Sequence, residues 1–156
     1  MILKQLVDFL DTNKVKYVNI THSTAFTAQD VAESAHISGK EMAKTVIVWI
    51  DGAMAMVVVP ATSMVDFNKL KAAVGAKSIE LASESEFKDR FPSCEVGAMP
   101  PFGNLFNMKV LVDTTLAEDK EFAFNAGTHH ELIRLPYADY ERLVKPTPAT
   151  FASQKK

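Results

Sequence analysis

The sequence predicts a mixed α/β domain of the α+β type: one compact unit with a mostly antiparallel sheet flanked by helices. Three observations lead there. Helical and strand patterns interleave along the chain. The pair Asp51-Gly52 between two apolar runs is a strong hairpin signal, and a hairpin makes an antiparallel pair that a purely doubly wound sheet lacks. No repeat, low-complexity tract or Gly/Ser linker interrupts the 156 residues, a usual length for one domain. Residues 1–146 are expected to form that domain, and residues 147–156 a flexible C-terminal tail.

Leu3, Leu6, Val7 and Leu10 recur at helical spacing over residues 2–13, and Val15, Tyr17, Val18 and Ile20 then read as a short strand. Thr27-Ala-Gln-Asp30 resembles a capping box opening a helix through about Ala35, with Gly39 ending that segment. The runs Thr45–Ile50 and Ala53–Val59 flank the hairpin turn and are almost continuously apolar, which predicts strands covered on both faces. Asp66 caps a helix over Phe67–Val74 that Gly75 stops in the left-handed conformation. Ile79–Leu81 is a short strand, and Ser83-Glu-Ser-Glu86 is a second capping box whose helix ends by Pro92. Strands follow at Met108–Val112, Glu121–Phe124 and Leu132–Leu135, and Pro136 opens a helix over Tyr137–Val144.

No apolar run approaches the ~20 residues that span a bilayer, and the opening MILKQLVDFL carries acid and base without a cleavage signal. A soluble, unprocessed, cytoplasmic protein with no membrane partner is expected. Cys94 is the only cysteine, which excludes an internal disulfide and a thiolate-rich metal site. A net charge of −2 argues against indiscriminate nucleic-acid binding but leaves room for local recognition of one RNA end.

The chemistry is sought in three turns. Lys44 opens the most apolar stretch, Thr45–Val59, whose only charged residue is the turn's Asp51. An ammonium beside buried strands must be paired, reach water or meet a ligand. It is read here as a ligand contact at a pocket rim, against the alternative of a solvent-facing strand flank. The loop Gly97-Ala-Met-Pro-Pro-Phe-Gly103 sets two prolines between glycines, a rigid turn able to aim backbone N–H groups at an oxyanion, or else a tight connection with Phe102 as a core plug. Asn125-Ala-Gly-Thr-His-His130 places two imidazoles just after a glycine turn.

Familiar signatures are missing. There is no Gly-x-Ser-x-Gly elbow and no His-Glu-x-x-His, and Ser38-Gly39-Lys40 lacks the rest of a phosphate loop. His129-His130-Glu131 would alternate across a strand, a poor chelate, so neither metal nor cofactor is expected. Cys94 follows a helix end, where nothing lowers a thiol pKa.

In this order and at these separations the segments resemble the YbaK/prolyl-tRNA synthetase-associated domain family, deacylases of mischarged aminoacyl-tRNA. The resemblance rests on the leading helix, His22-Ser-Thr24, Lys44-Thr45-Val-Ile-Val48, the Gly-Pro-rich loop and Gly127-Thr128-His129. It implies a compact fold whose sheet curls toward a barrel, and hydrolysis of an aminoacyl ester. It also implies Lys44 and His129 as the catalytic pair, with Thr45, Gly97, Ala98, Met99, Pro100, Phe102, Gly103, Gly127, Thr128 and His130 around the substrate. Lys44 would meet the terminal phosphate or polarise the ester carbonyl, and His129 would position the attacking water or the ribose hydroxyl. Either His129 or His130 could face the pocket. Met99, Phe102 and Met56 are candidate walls of a size sieve.

The expected function is therefore trans-editing of a tRNA charged with a small, wrong amino acid. The partner is the aminoacyl-tRNA 3′ end, with a synthetase as a second candidate. The alternatives are a non-catalytic module binding tRNA ends or a synthetase, and a small-molecule esterase or amidase.

Overall fold

The computed structural model describes residues 3–21 and 41–154. The Thr27–Asp30 capping box with its helix, Gly39 and the His22-Ser-Thr24 element lie outside the described residues. Helix α1 (Lys4–Thr12) turns Leu6 and Leu10 inward, as its spacing predicts, and β1 (Val18–Thr21) follows. The hairpin then forms from β2 (Ala43–Ile50) and β3 (Ala53–Pro60), in the register Thr45↔Val58 and Ile47↔Met56. Asp51 and Gly52 take φ of 48° and 85°, the left-handed pair that the turn type demands. The Asp51 carboxylate also accepts from the backbone N–H groups of Lys77 and Ser78 at 2.9 and 2.8 Å, tying the turn to the next crossing of the chain.

A short strand that the sequence pattern did not announce, β4 (Ser63–Val65), precedes α2 (Phe67–Val74). Asp66 caps α2 by accepting from Asn68 and Lys69 N–H at 3.0 Å each, and Gly75 ends it at φ 67°. After β5 (Ile79–Leu81), Ser83 and Glu86 close their reciprocal capping box on α3 (Glu84–Phe87). Hydrogen bonds from the Ser83 backbone and hydroxyl hold the Glu86 carboxyl below its usual range. The remaining elements are β6 (Lys109–Asp113), β7 (Glu121–Asn125), β8 (Glu131–Pro136), α4 (Tyr137–Val144), β9 (Thr147–Ala149) and β10 (Ala152–Gln154).

The strands pair in three ladders: β5-β2-β3-β6-β9, β1-β8-β7 and β10-β4. Pairing is antiparallel except for β3–β6 and β6–β9. One parallel bridge, Met42 to Ala123, joins the two larger ladders, and the described strands close no hydrogen-bonded ring. The hairpin is covered on both faces. Ile47, Met56, Val58, Val110 and Val112 meet α1 and an aromatic cluster, while Val48, Ala55, Val57, Val59 and Leu111 meet Leu70 of α2 and Phe151.

Residues 147–149 and 152–154, expected within a tail, instead form strands of two sheets: β9 pairs with β6 and β10 with β4. The reason is Asp113. Its fully buried carboxylate accepts from the N–H groups of Phe151 and Ala152 at 2.9 and 2.8 Å, and from the Thr115 N–H and hydroxyl. Burial acts to raise its pKa, but these hydrogen bonds outweigh it and hold the carboxyl below the usual range. Phe151, wholly buried, plugs the second core beside this anchor.

Asp113→Asn should cost ~2 kcal/mol of unfolding free energy, the scale of hydrogen bonds to a buried charge, read by urea unfolding at neutral pH. The native pKa is depressed, so the carboxylate's contribution is complete above the unfolded value of about 3.9 and fades as pH falls through the native one. Wild-type stability should fall more steeply than that of the variant over this acid range; parallel acid limbs would contradict the anchor.

Candidate active site

Lys44, expected in a turn, is instead half-buried within strand β2, opposite Val59 on β3. Strand alternation puts it on the face of Val46 and Val48, whereas Thr45 shares the face of Ile47 toward the first core. The neighbours Lys44 and Thr45 thus look to opposite sides. The bridge Met42↔Ala123 is reinforced by the Ala123 N–H donating to the Glu41 carbonyl at 2.9 Å. Two residues past that isolated bridge stand Lys44 on β2 and Asn125, the last residue of β7. Ala43 and Phe124, between them, both belong to the first core, so Lys44 and Asn125 share the other face.

Beyond Asn125 the chain turns through Gly127, at φ 95°, and meets the loop before Gly97. The two segments are stitched in both directions: Glu95 N–H donates to Gly127 O at 2.8 Å and Gly127 N–H to Ala98 O at 2.9 Å. The Glu95 carboxylate accepts from the His129 backbone N–H at 2.6 Å. The His129 ring reaches the Val96 carbonyl through Nε2 at 2.8 Å, and since a carbonyl only accepts, Nε2 carries the proton. A Cβ at Gly97, itself at φ 85°, would stand 3.4 Å from Cε1 of that ring. His129 is therefore the imidazole laid on the Gly97 loop. His130 is exposed, with its N–H donating to the Thr128 hydroxyl at 3.3 Å.

Of the loop's amides, Ala98 N–H is taken by Glu95 O and Phe102 N–H by Pro100 O, and the two prolines have none. The N–H of Gly97 meets no backbone acceptor among the described residues, at an exposed position. The second half of the loop turns inward. Met99 and Pro100 are buried, and Gly103 lies so close to Met108 O and Val110 that a Cβ would come within 2.5 Å of both. Phe102 is wholly buried, with its ring against Phe9, Phe124 and Tyr140, and Met56 is enclosed in the same core. The Tyr140 hydroxyl donates to Pro101 O at 2.7 Å and pins the loop from behind; burial drives its pKa well up. These residues back the site from the core.

Gly97, Ala98, Gly127, Thr128 and His129 come together directly, and Lys44 stands on β2 two residues past the Met42 bridge to the strand that leads into this turn. Two participants escaped the sequence reading. Glu95 sits in no motif, and only the fold brings its carboxylate to a backbone 34 residues on. Asn125 was visible as the lone amide ending the run Phe-Ala-Phe-Asn, but its burial was not. Cys94, adjoining the loop, is partly buried and its thiol is pushed up to about 11 by desolvation, so it is a poor nucleophile at neutral pH. A Cβ on Gly127 would fall 2.9 Å from Leu3 Cβ at a left-handed backbone. Gly127→Ala should therefore lower stability by ~1–3 kcal/mol in thermal or urea unfolding; an unchanged midpoint would show that α1 can yield.

Residues 22–143 match the aminoacyl-tRNA editing domain family. The multifunctional Ser/Thr-tRNA deacylase ProXp-y of Escherichia coli is 27% identical over 153 residues, covering 95% of this chain and 91% of that protein. A proline–tRNA ligase of Bacillus mycoides is 28% identical over 89 residues, 57% of this chain and 16% of the ligase. The solved structure of a candidate trans-editing enzyme for prolyl tRNA synthetase superposes with a TM-score of 0.80 at 19% identity, covering 98% of this chain and 96% of that one, and so shares the fold. Lys44, the Gly97 loop and the Gly127–His129 turn all fall inside the matched span, and this chain belongs to the aminoacyl-tRNA editing domain family.

Proposed function

We propose that this protein is an aminoacyl-tRNA deacylase that edits in trans, releasing a small, wrongly attached amino acid from the tRNA 3′ end. The observation that carries the reading is the two-way stitch between the Gly97 loop and the Gly127–His129 turn, which fixes an exposed backbone donor next to the strand end where Lys44 and Asn125 lie. An aminoacyl ester is already activated. Orienting water and stabilising one oxyanion suffices, with no covalent nucleophile, in keeping with the raised Cys94 thiol.

Water adds to the ester carbonyl carbon, the bond from that carbon to the ribose oxygen breaks, and water's proton ends on the departing ribose oxygen. The amino acid and the free tRNA terminus are the products. In this reading Lys44 supplies positive charge to the carbonyl or terminal phosphate, and Gly97 N–H donates to the oxyanion. His129, its Nε2 committed to the Val96 carbonyl, holds the loop in shape as a positioning residue. The relative named for Ser- and Thr-tRNA directs attention to those two amino acids among small substrates. A synthetase partner is proposed on the domain's likeness to part of proline–tRNA ligases.

The test is deacylation of a tRNA panel charged with Ala, Ser, Thr or Cys. At least one should lose its ester at a rate proportional to protein. Salt-sensitive binding with every ester intact would replace this reading by that of a non-catalytic tRNA-end module. Lys44→Ala should lower kcat/KM by ~100-fold or more with the circular dichroism spectrum and melting temperature unchanged. Retained turnover would remove Lys44 from the mechanism.

A further inference from the structure

Asn125 is a buried polar residue at the end of an otherwise apolar strand, 5% exposed, and its Oδ1 accepts no hydrogen bond among the described residues. A buried carbonyl left without a donor is destabilising, and native folds keep few of them. Its setting is specific. Asn125 stands two residues past Ala123, as Lys44 stands two residues past Ala123's bridge partner Met42, on the face turned away from the first core. The opposite residue on β8 is Leu132, and Arg134, two residues on and hence diagonal to Asn125, has its Nε buried without an acceptor among the described residues. One face therefore presents an acceptor wanting a donor and, a diagonal step away, a donor wanting an acceptor.

The terminal nucleotide of a tRNA carries both complements, a ribose hydroxyl and a phosphate. The substrate's further donors, the α-ammonium, the adenine amino group and the side-chain hydroxyl of a serine or threonine ester, are all retained in a 2′-deoxy terminus, so removal of the ribose hydroxyl alone separates it from them. We infer that Asn125 Oδ1 accepts a hydrogen bond from the ribose hydroxyl vicinal to the aminoacyl ester and so sets that hydroxyl, and the ester beside it, against the Gly97 loop. Asn125 is a positioning and recognition residue that the family match does not assign. It reads a ribose terminus as opposed to a deoxyribose one. The inference rests on the deacylase reading.

Two variants and two substrates test it. Asn125→Leu removes the unpartnered carbonyl at nearly constant volume, and Asn125→Ala serves if leucine does not fold. Each is assayed on the charged tRNA that wild type hydrolyses best and on the same tRNA ending in 2′-deoxyadenosine, charged on its 3′ oxygen. The expected result is an unchanged or raised melting temperature for Asn125→Leu, with kcat on the ribose substrate down about 10- to 100-fold. On the deoxy substrate, variant and wild type should be alike, because the partner hydroxyl is already gone and the two losses do not add. Equal kcat for folded variants and wild type, or losses that add fully, would overturn the inference while leaving the deacylase reading intact. A wild-type protein inactive on every charged tRNA would overturn the deacylase reading, and this inference with it.

Discussion

Everything in this fold is arranged around one demand: the β2–β3 hairpin is apolar on both faces, so both must be covered. Isolated, such a hairpin is marginal in water, and its stability comes from what packs on it. One face takes α1, the β7–β8 pair and the aromatic cluster around Phe102 and Tyr140. The other takes α2 and the C-terminal strands with Phe151. The parallel partners β6 and β9 extend the sheet sideways, which is why the chain must return twice to the same layer after its crossovers.

The site lies where this cover ends. Lys44 stands at the start of β2, close to where the Met42 bridge hands the sheet over to β7. Just past β7, backbone groups of the Gly127 turn pair with those of the segment around Gly97. Gly97 and Gly127 allow that pairing because both take positive φ, and at Gly127 a Cβ would also crowd Leu3. The carboxylate of Glu95 and the hydroxyl of Tyr140 clamp the assembly from its two sides. Rigid backing of this kind keeps a few polar groups aimed without a metal-like anchor among the described residues.

Much of this was legible because it is local. The Asp51-Gly52 turn, the Asp66 and Ser83 caps and the Gly75 stop each depend on residues within a few positions, so sequence neighbours suffice to predict them. Gly97 and Gly127–His129 stood out as turns, and Lys44 as a charge heading an apolar run, for the same reason. What escaped depends on long-range partners. Thr147–Ala149 and Ala152–Gln154 are too short and too mixed in composition to read as strands alone, and they exist because β6, β4 and Asp113 await them. Phe102, equally able to face a ligand or fill a core, was decided by the rings around it.

The sequence by itself determined the mixed class, the central hairpin, most element positions and the glycine turns at Gly97 and Gly127, since these follow from periodicity and backbone preference. Only the tertiary structure decided that Glu95 grips the His129 backbone, that the His129 ring lies on the Gly97 loop with its Nε2 proton already spent, and that Asn125 is buried at the end of β7. Those outcomes are set by contacts across dozens of residues. Which buried polar atom finds a partner, and which is left for a ligand, depends on the closed fold and has no local signature.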